Sequence, residues 1–443
     1  MNIVELEASL KNHEKKLGVW GCGYIGFSTM VAFANEGISV IGYDINKNVV
    51  RAINNKEHLI KDIDIFFGMK YSELISEGLI KATYNVEDMY EKRIFADFIA
   101  VPTEKDGKPH VDPLKDVLGN LRKIYKKRKG TIFIESTLYP SCTNELIIPY
   151  MEKDGLKLDK DYYLVVAPRR DWFTVGEGKT LKNLPRIFAG ASKKSAEIGK
   201  NVLSLICSNL LNAESCENAE VVKAVENAIR MVDIALCYQL TIAFPNLDMR
   251  KIFELAGTKW NVNTYYPNIK CGGYCLPLAP EYLILGAKLP KALTILKSAI
   301  ETNEKMPSLI VKKLQDYNKI GILGLSYKEN IKVHQLSGSL ALVEKLKDKE
   351  IKINDPLYTD EEIENIAGRK AFKFPDELDN FDAIVLATPH DYYKRIKKSV
   401  IVKKLSKVKF IFDAHGFWKK LKLPKSCVYK ILGSANWLEK KYW

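Results

Sequence analysis

The chain has little of what marks a membrane-spanning, disulfide-stapled or metal-binding protein. No apolar run is long enough to span a bilayer, although hydrophobic residues make up 47% of the 443, an ordinary share for globular domains. The opening stretch MNIVELEASLKNHEKK alternates acid with base and holds no apolar core of the signal-peptide kind, so a cytoplasmic protein is expected. Eight cysteines fall without paired spacing and six histidines are scattered. Free thiols are therefore expected, with neither a disulfide framework nor a metal site. Internal short repeats and low-complexity segments are also missing.

What is abundant is positive charge, a formal net +14. Lysine is spread along the whole chain, and no basic stretch is interleaved with stacking aromatics, so a nucleic-acid partner is not expected. A field of this sign would still steer a small polyanionic ligand.

A chain of this length divides into two or three domains. Its first half alternates strands and helices: KLGVW, then GCGYIG opening the helix YIGFSTMVAFANEG, then ISVIGYD, DFIAVP, GTIFIEST and YYLVVAP. This alternation predicts a parallel, doubly wound sheet. From about Cys216 to Phe244 neither glycine nor proline interrupts a helical pattern, which predicts one helix of roughly 40 Å. Alternation returns after Met306 through KIGILGLSYK, SGSLALVEKL, EIKINDP, FDAIVLATPH and KFIFDAHGFW. The expected architecture is α/β, with two Rossmann-like doubly wound domains joined by a helical middle domain. Its parts are an N-terminal extension over 1–16, a dinucleotide-binding domain over 17–205, the middle domain over 206–305 and a second Rossmann-like domain over 306–443.

Gly21, Gly23 and Gly26, with Tyr24 and Ile25 between, form a G-x-G-x-x-G between a strand and a helix. Its glycines permit the turn, the approach of a pyrophosphate and close helix–strand packing, and the helix start offers free N–H groups to phosphate. The same pattern would serve a plain tight turn. Asp44, eighteen residues beyond Gly26 at the end of the next strand, adds a carboxylate for ribose hydroxyls and so favours NAD over NADP, with Lys47 nearby.

In GGYCLPLAPEYL, two glycines precede Cys275 and let the backbone approach a ligand closely. A cysteine is a weak nucleophile until a cation or base stands beside it. Lys223 is the candidate cation, and Asn227, four residues on, shares its helix face. By itself Lys223 would equally serve as a solvent-facing lysine.

The chain from Leu17 to Trp418 resembles the UDP-glucose/GDP-mannose dehydrogenase family. The stretches that carry the resemblance are GCGYIG, AVPTEKDGKPHVDPL, IESTLYP, VVKAVENA, GGYCLPLAP, GILGLSYK and FDAIVLATPHDYY, in the family's order. The resemblance implies NAD-dependent oxidation of the C6 alcohol of a nucleotide sugar to a carboxylate, through a thiohemiacetal and a thioester on Cys275. A UDP-glucose-like substrate, a role in capsule or polysaccharide building and a homodimer through the central helix go with it. By the same resemblance, Lys223 and Asn227 steady the C6 oxyanion, while Thr137 and Thr103 lie near the nicotinamide. Lys328 contacts the sugar nucleotide, and Tyr266 and Gly272 line the sugar pocket.

Several positions depart from the family pattern. Arg169 stands where a glutamate assisting water is implied, Ala279 where an aspartate is, and His415 where an arginine for the nucleotide is. Val333 and Gln335 replace an Asp and an Arg of the segment after Lys328. Arg169 is expected to contact the substrate side and to activate Cys275, and His415 to contact the nucleotide. Glu281 and Asp171 are candidate relocated carboxylates. Acid–base groups contribute about 10²–10⁴-fold each, so the departures bear most on thioester hydrolysis. They leave open a complete dehydrogenase, a discharge of the thioester onto an amine, or a subunit that binds NAD and a nucleotide sugar without turnover.

Overall fold

The computed structural model describes residues 3–57, 59, 63–64, 70–170 and 181–439. They form two units, one of residues 1–225 with 281–288, the other of 226–280 with 289–443.

The first unit is built on a sheet of β1 (Lys16–Trp20), β2 (Val40–Tyr43), β3 (Ile80–Thr83), β4 (Ile94–Ile99), β5 (Gly130–Ile134), β6 (Tyr162–Val166), β7 (Arg186–Gly190) and β8 (Leu210–Asn212). The order across it is β8-β7-β6-β5-β4-β1-β2-β3. Its neighbours run parallel except β6 with β7, which pair antiparallel. The run β3-β2-β1-β4-β5-β6 is the doubly wound order, whose switch point lies between β1 and β4. Strands such as LGVW are buried at every position, as a sheet covered on both faces requires. The covering layers show as two apolar clusters, one around Phe27, Phe33 and Phe98, the other around Trp20, Leu118 and Ile132.

The N-terminal segment belongs to this unit. Residues Ile3–Lys11 form helix α1, and its Leu6 and Leu10 are buried in the first of those clusters.

Helix α2 (Tyr24–Ala34) follows β1 at once and is buried from Gly26 to Ala34. The long helix α3 runs from Cys216 to Ala243, about 42 Å at the usual rise, and Pro245 lies just beyond its end.

The second unit carries β9 (Lys319–Leu323), β10 (Glu350–Asn354), β11 (Ala383–Leu386), β12 (Phe410–Asp413) and β13 (Val428–Ile431). They are ordered β10-β9-β11-β12-β13 and all parallel, again a doubly wound arrangement. The helices that matter for the site are α4 (Met249–Ala256), α5 (Cys275–Gly286) and α6 (Thr294–Leu314). The described part of the Trp- and Lys-rich tail, to residue 439, folds into this unit as well. Trp437 is fully buried and its indole donates to the carbonyl of Thr241 on α3.

Candidate functional site

The glycine loop at the C-terminal end of β1 meets three separate demands. Gly21 has φ +88, a region favourable to glycine alone, and a Cβ there would lie 2.8 Å from the Ala100 carbonyl oxygen. At Gly26 a Cβ would fall 1.8 Å from the Gly21 oxygen, so helix and strand touch there. At Gly23 a Cβ would meet nothing within 4 Å. That open space lies beside the exposed first residue Tyr24 of α2 and the half-buried Ile25, at a helix start of the kind that receives phosphate.

Asp44 closes the loop from the end of β2. Its Oδ2 accepts the amide of Cys22 at 2.7 Å and its Oδ1 that of Asn46 at 2.8 Å, and the side chain stays half-exposed. Lys47 is exposed, with its ammonium 5.3 Å from the ring centre of Tyr84. A half-exposed carboxylate and an open helix start thus lie together, a combination suited to a dinucleotide's ribose and phosphates.

The second sheet is built differently at the matching strand end. Asp355 is buried, and its Oδ2 accepts from the amides of Leu325 and Ser326 and lies 3.0 Å from His390 Nε2. Asp355 is thus taken up by backbone amides and His390. The dinucleotide site belongs to the first unit.

Thr103 and Thr137 are brought together in the first unit. Thr103 Oγ1 donates to the Thr137 carbonyl at 2.6 Å, leaving Thr137 half-buried beside it. Tyr282, absent from the sequence reading, donates to the Thr103 carbonyl at 2.6 Å.

Cys275 is the first residue of α5 and is exposed. Among the described residues the other thiols are buried or half-buried. Burial pushes Cys142, Cys216, Cys237 and Cys271 up to about 12 and Cys427 up to about 11, which keeps them as thiols. Among the described residues Cys275 is therefore the exposed thiol. The turn before it is tight: a Cβ on Gly272 would lie 2.7 Å from the Leu336 oxygen, and one on Gly273 3.0 Å from the Tyr327 ring. Lys328, next to Tyr327, is exposed.

On α3, Lys223 is half-buried and Asn227 is buried. Arg230, one turn further on the same face, was not singled out by sequence, although its spacing from Lys223 is visible in KAVENAIR. Its charge acts on the Cys271 thiol and the Tyr327 phenol.

Two expected substrate contacts have other tasks in the structure. Arg169 is buried in the first unit, donating to Thr29 Oγ1 and, at 3.0 Å, to Ser28 Oγ on α2. It lies 3.8 Å from Glu135, which also pairs with Arg186. A guanidinium so placed is a buried counter-charge to Glu135, whereas the sequence reading expected Arg169 at the substrate and beside the thiol. His415 is the second case. Its Nε2 donates to the Ala387 carbonyl at 3.0 Å, and burial lowers its pKa, so the ring is a neutral structural donor. The guanidinium at this place in the second unit is that of Arg250 on α4. It donates to the carbonyls of Ala414 and His415 and lies 5.0 Å from the ring centre of Tyr266. Arg250 thus links His415 to Tyr266, a pairing of distant segments that no local pattern announces.

Ala279 is buried, and Glu281 is half-buried. Asp171 lies outside the described residues.

Three profiles of one family match the chain. They are the UDP-glucose/GDP-mannose dehydrogenase family's NAD-binding domain over residues 15–206, its central domain over 217–305 and its UDP-binding domain over 321–420. The chain belongs to the UDP-glucose/GDP-mannose dehydrogenase family. Its cofactor is NAD, in keeping with the loop and carboxylate just described.

Among curated relatives, the UDP-N-acetyl-D-mannosamine dehydrogenase of Pyrococcus horikoshii is 29% identical over 442 residues, covering 95% of this chain and 100% of its own. That of Methanocaldococcus jannaschii is 30% identical, covering 89% and 90%. A solved structure of UDP-D-ManNAc dehydrogenase from P. horikoshii matches with a TM-score of 0.82 at 28% identity, over 95% of this chain and 100% of that one.

Proposed function

We propose that the protein oxidises the C6 alcohol of a UDP-sugar to the uronate in two successive two-electron steps, with Cys275 as the nucleophile. The observation that carries this reading is the exposure of the Cys275 thiol at the end of a tight Gly-Gly turn while the remaining thiols are buried or half-buried. NAD, when bound, supplies the hydride acceptor for each oxidation.

The first oxidation removes a hydride from C6 and a proton from its hydroxyl, leaving an aldehyde. The Cys275 sulfur then adds to C6, forming a C–S bond, and Lys223 and Asn227 hold the oxygen that gains the negative charge. Loss of a second hydride from C6 makes the thioester. Water adds to it, the C–S bond breaks, the sulfur recovers a proton and the free acid leaves. One water is consumed and two cofactor molecules are reduced per sugar. Gly21, Gly23, Tyr24, Ile25, Gly26, Asp44 and Lys47 hold the cofactor, with Thr103 and Thr137 at its reactive end. Lys328, Tyr266 and Gly272 face the nucleotide sugar, with Arg250 beside Tyr266.

The relatives named for UDP-N-acetyl-D-mannosamine favour an N-acetylhexosamine over glucose as the sugar. A homodimer fits the exposed apolar stripe Val225, Ile229 and Leu236 on α3. A domain division near residues 206 and 306 and a cytoplasmic location complete the reading.

A second reading keeps both oxidations and passes the acyl group to an amine. It is favoured by the buried Ala279 and the committed Arg169, which leave those two positions without a carboxylate.

The test is to incubate purified protein with NAD and UDP-ManNAc, UDP-GlcNAc or UDP-glucose, and to count NADH per sugar. Two NADH and a free uronate, fastest with an N-acetyl sugar and abolished in Cys275→Ala, are expected. Two NADH only with added amine would establish the second reading. Binding without NADH would overturn both.

A further inference from the structure

We infer that Asn303 is a positioning residue for the Cys275 sulfur, acting through the backbone of Cys271. Asn303 sits inside the 21-residue helix α6 and is 2% exposed. Asparagine is a poor helix-interior residue because its side chain competes for backbone hydrogen bonds. Here the carboxamide turns away from its own helix. Its Oδ1 accepts the Cys271 amide at 2.8 Å, and its Nδ2 donates to the Cys271 carbonyl at 3.2 Å. Bonding both polar groups of one residue fixes the height and the rotation of that stretch of chain together. The next residue of α6 adds a brace, since Glu304 pairs with Lys270 at 2.7 Å.

Only Gly272, Gly273 and Tyr274 separate this grip from Cys275. On their far side Gly273 donates to the Gln335 carbonyl at 2.8 Å. A Cβ added at Gly272 would clash with Leu336 and Tyr327, and one at Gly273 would press on the Tyr327 ring. The turn is thus held between α6 and the 327–336 segment, all within the second unit, and its free end is the thiol. Neither contact touches the sulfur, so their effect is to aim it. Misplacing a reacting group by about 1 Å costs on the order of 10²-fold in rate, and without Asn303 the Cys271 amide must move to find another partner.

This inference rests on Cys275 being the nucleophile, and the test separates the two. Asn303→Ala is compared with Leu314→Ala, which removes a core side chain of the same helix away from the turn. Steady-state rates, thermal midpoints and the rate of Cys275 alkylation by iodoacetamide are measured, with Cys275→Ser as the alkylation blank. For Asn303→Ala we expect kcat about ten- to a hundredfold lower, KM for NAD and UDP-sugar within about threefold, and an altered alkylation rate. Leu314→Ala should melt lower and keep kcat within about twofold of the parent. Should Asn303→Ala not fold, Asn303→Ser, whose hydroxyl is too short to bridge both groups, is read against the same thresholds. If kcat and alkylation in the Asn303 variants stay within about twofold of the parent, or fall no further than in Leu314→Ala, the inference is overturned. If Cys275→Ala itself still yields two NADH and a free uronate per sugar, the nucleophile reading fails instead.

Discussion

The hydroxyl of Tyr282 donates to the carbonyl oxygen of Thr103 at 2.6 Å, and Thr103 in turn donates through Oγ1 to the carbonyl of Thr137. Tyr282 lies two turns along the helix that Cys275 begins, and both ends of its hydrogen bond are buried. The Thr103 carbonyl also accepts the His110 amide at 2.7 Å, so removing the phenol oxygen costs one buried hydrogen bond, about 0.5–1.5 kcal/mol. Tyr282→Phe should therefore lower the midpoint of thermal unfolding. An unchanged melt would show that the His110 amide alone satisfies the Thr103 carbonyl.

The glycine loop separates folding from cofactor binding. Gly23→Ala adds a methyl to empty space at an ordinary φ of −68, so its melting curve should match the parent while NAD binds about tenfold or more weaker. Gly26→Ala drives a methyl into the Gly21 carbonyl oxygen and should destabilise the protein itself. Fluorescence titration with NAD and a thermal melt on both variants check the contrast. Equal behaviour of the two would remove the phosphate from the Gly23 space.

Arg169→Glu, the substitution that would restore an acid at the departed position, should fail to do so. It would set a second carboxylate beside buried Glu135 and remove one of its two guanidinium partners, a loss of about 3–5 kcal/mol. The expected result is a markedly lower thermal midpoint and no faster release of uronate. Faster release in a stable variant would return Arg169 to the reaction.

Glu220 gives a pH signature. It is buried on α3 with Oε1 accepting the Thr143 amide at 2.8 Å, and its other oxygen is without a partner. Burial pushes its pKa up to about 7, from 4.5. Between those values the folded protein holds a proton the unfolded chain has lost. The contribution is present below pH 4.5 and is lost as pH rises through about 7. Glu220→Gln cannot ionise, so its thermal midpoint relative to the parent should rise between pH 5 and pH 8. A constant difference across that range would show that Glu220 titrates normally.

The sequence by itself determined the order of strands and helices, the long central helix, the tight glycine loop of Gly21, Gly23 and Gly26 with Asp44 at the next strand end, and Cys275 as the cysteine to watch. Those signals are local: hydrophobic period, turn chemistry and short fixed spacings. It did not show the antiparallel pairing of β6 with β7, because strand direction depends on the path of the intervening chain. Nor did it show that Arg169 neutralises Glu135, that Arg250 occupies the surroundings of His415, or that Asn303 grips Cys271. Each of these joins residues roughly thirty or more apart in the chain. A buried charge or amide is paired by whatever packing brings beside it, and only the folded chain decides what that is.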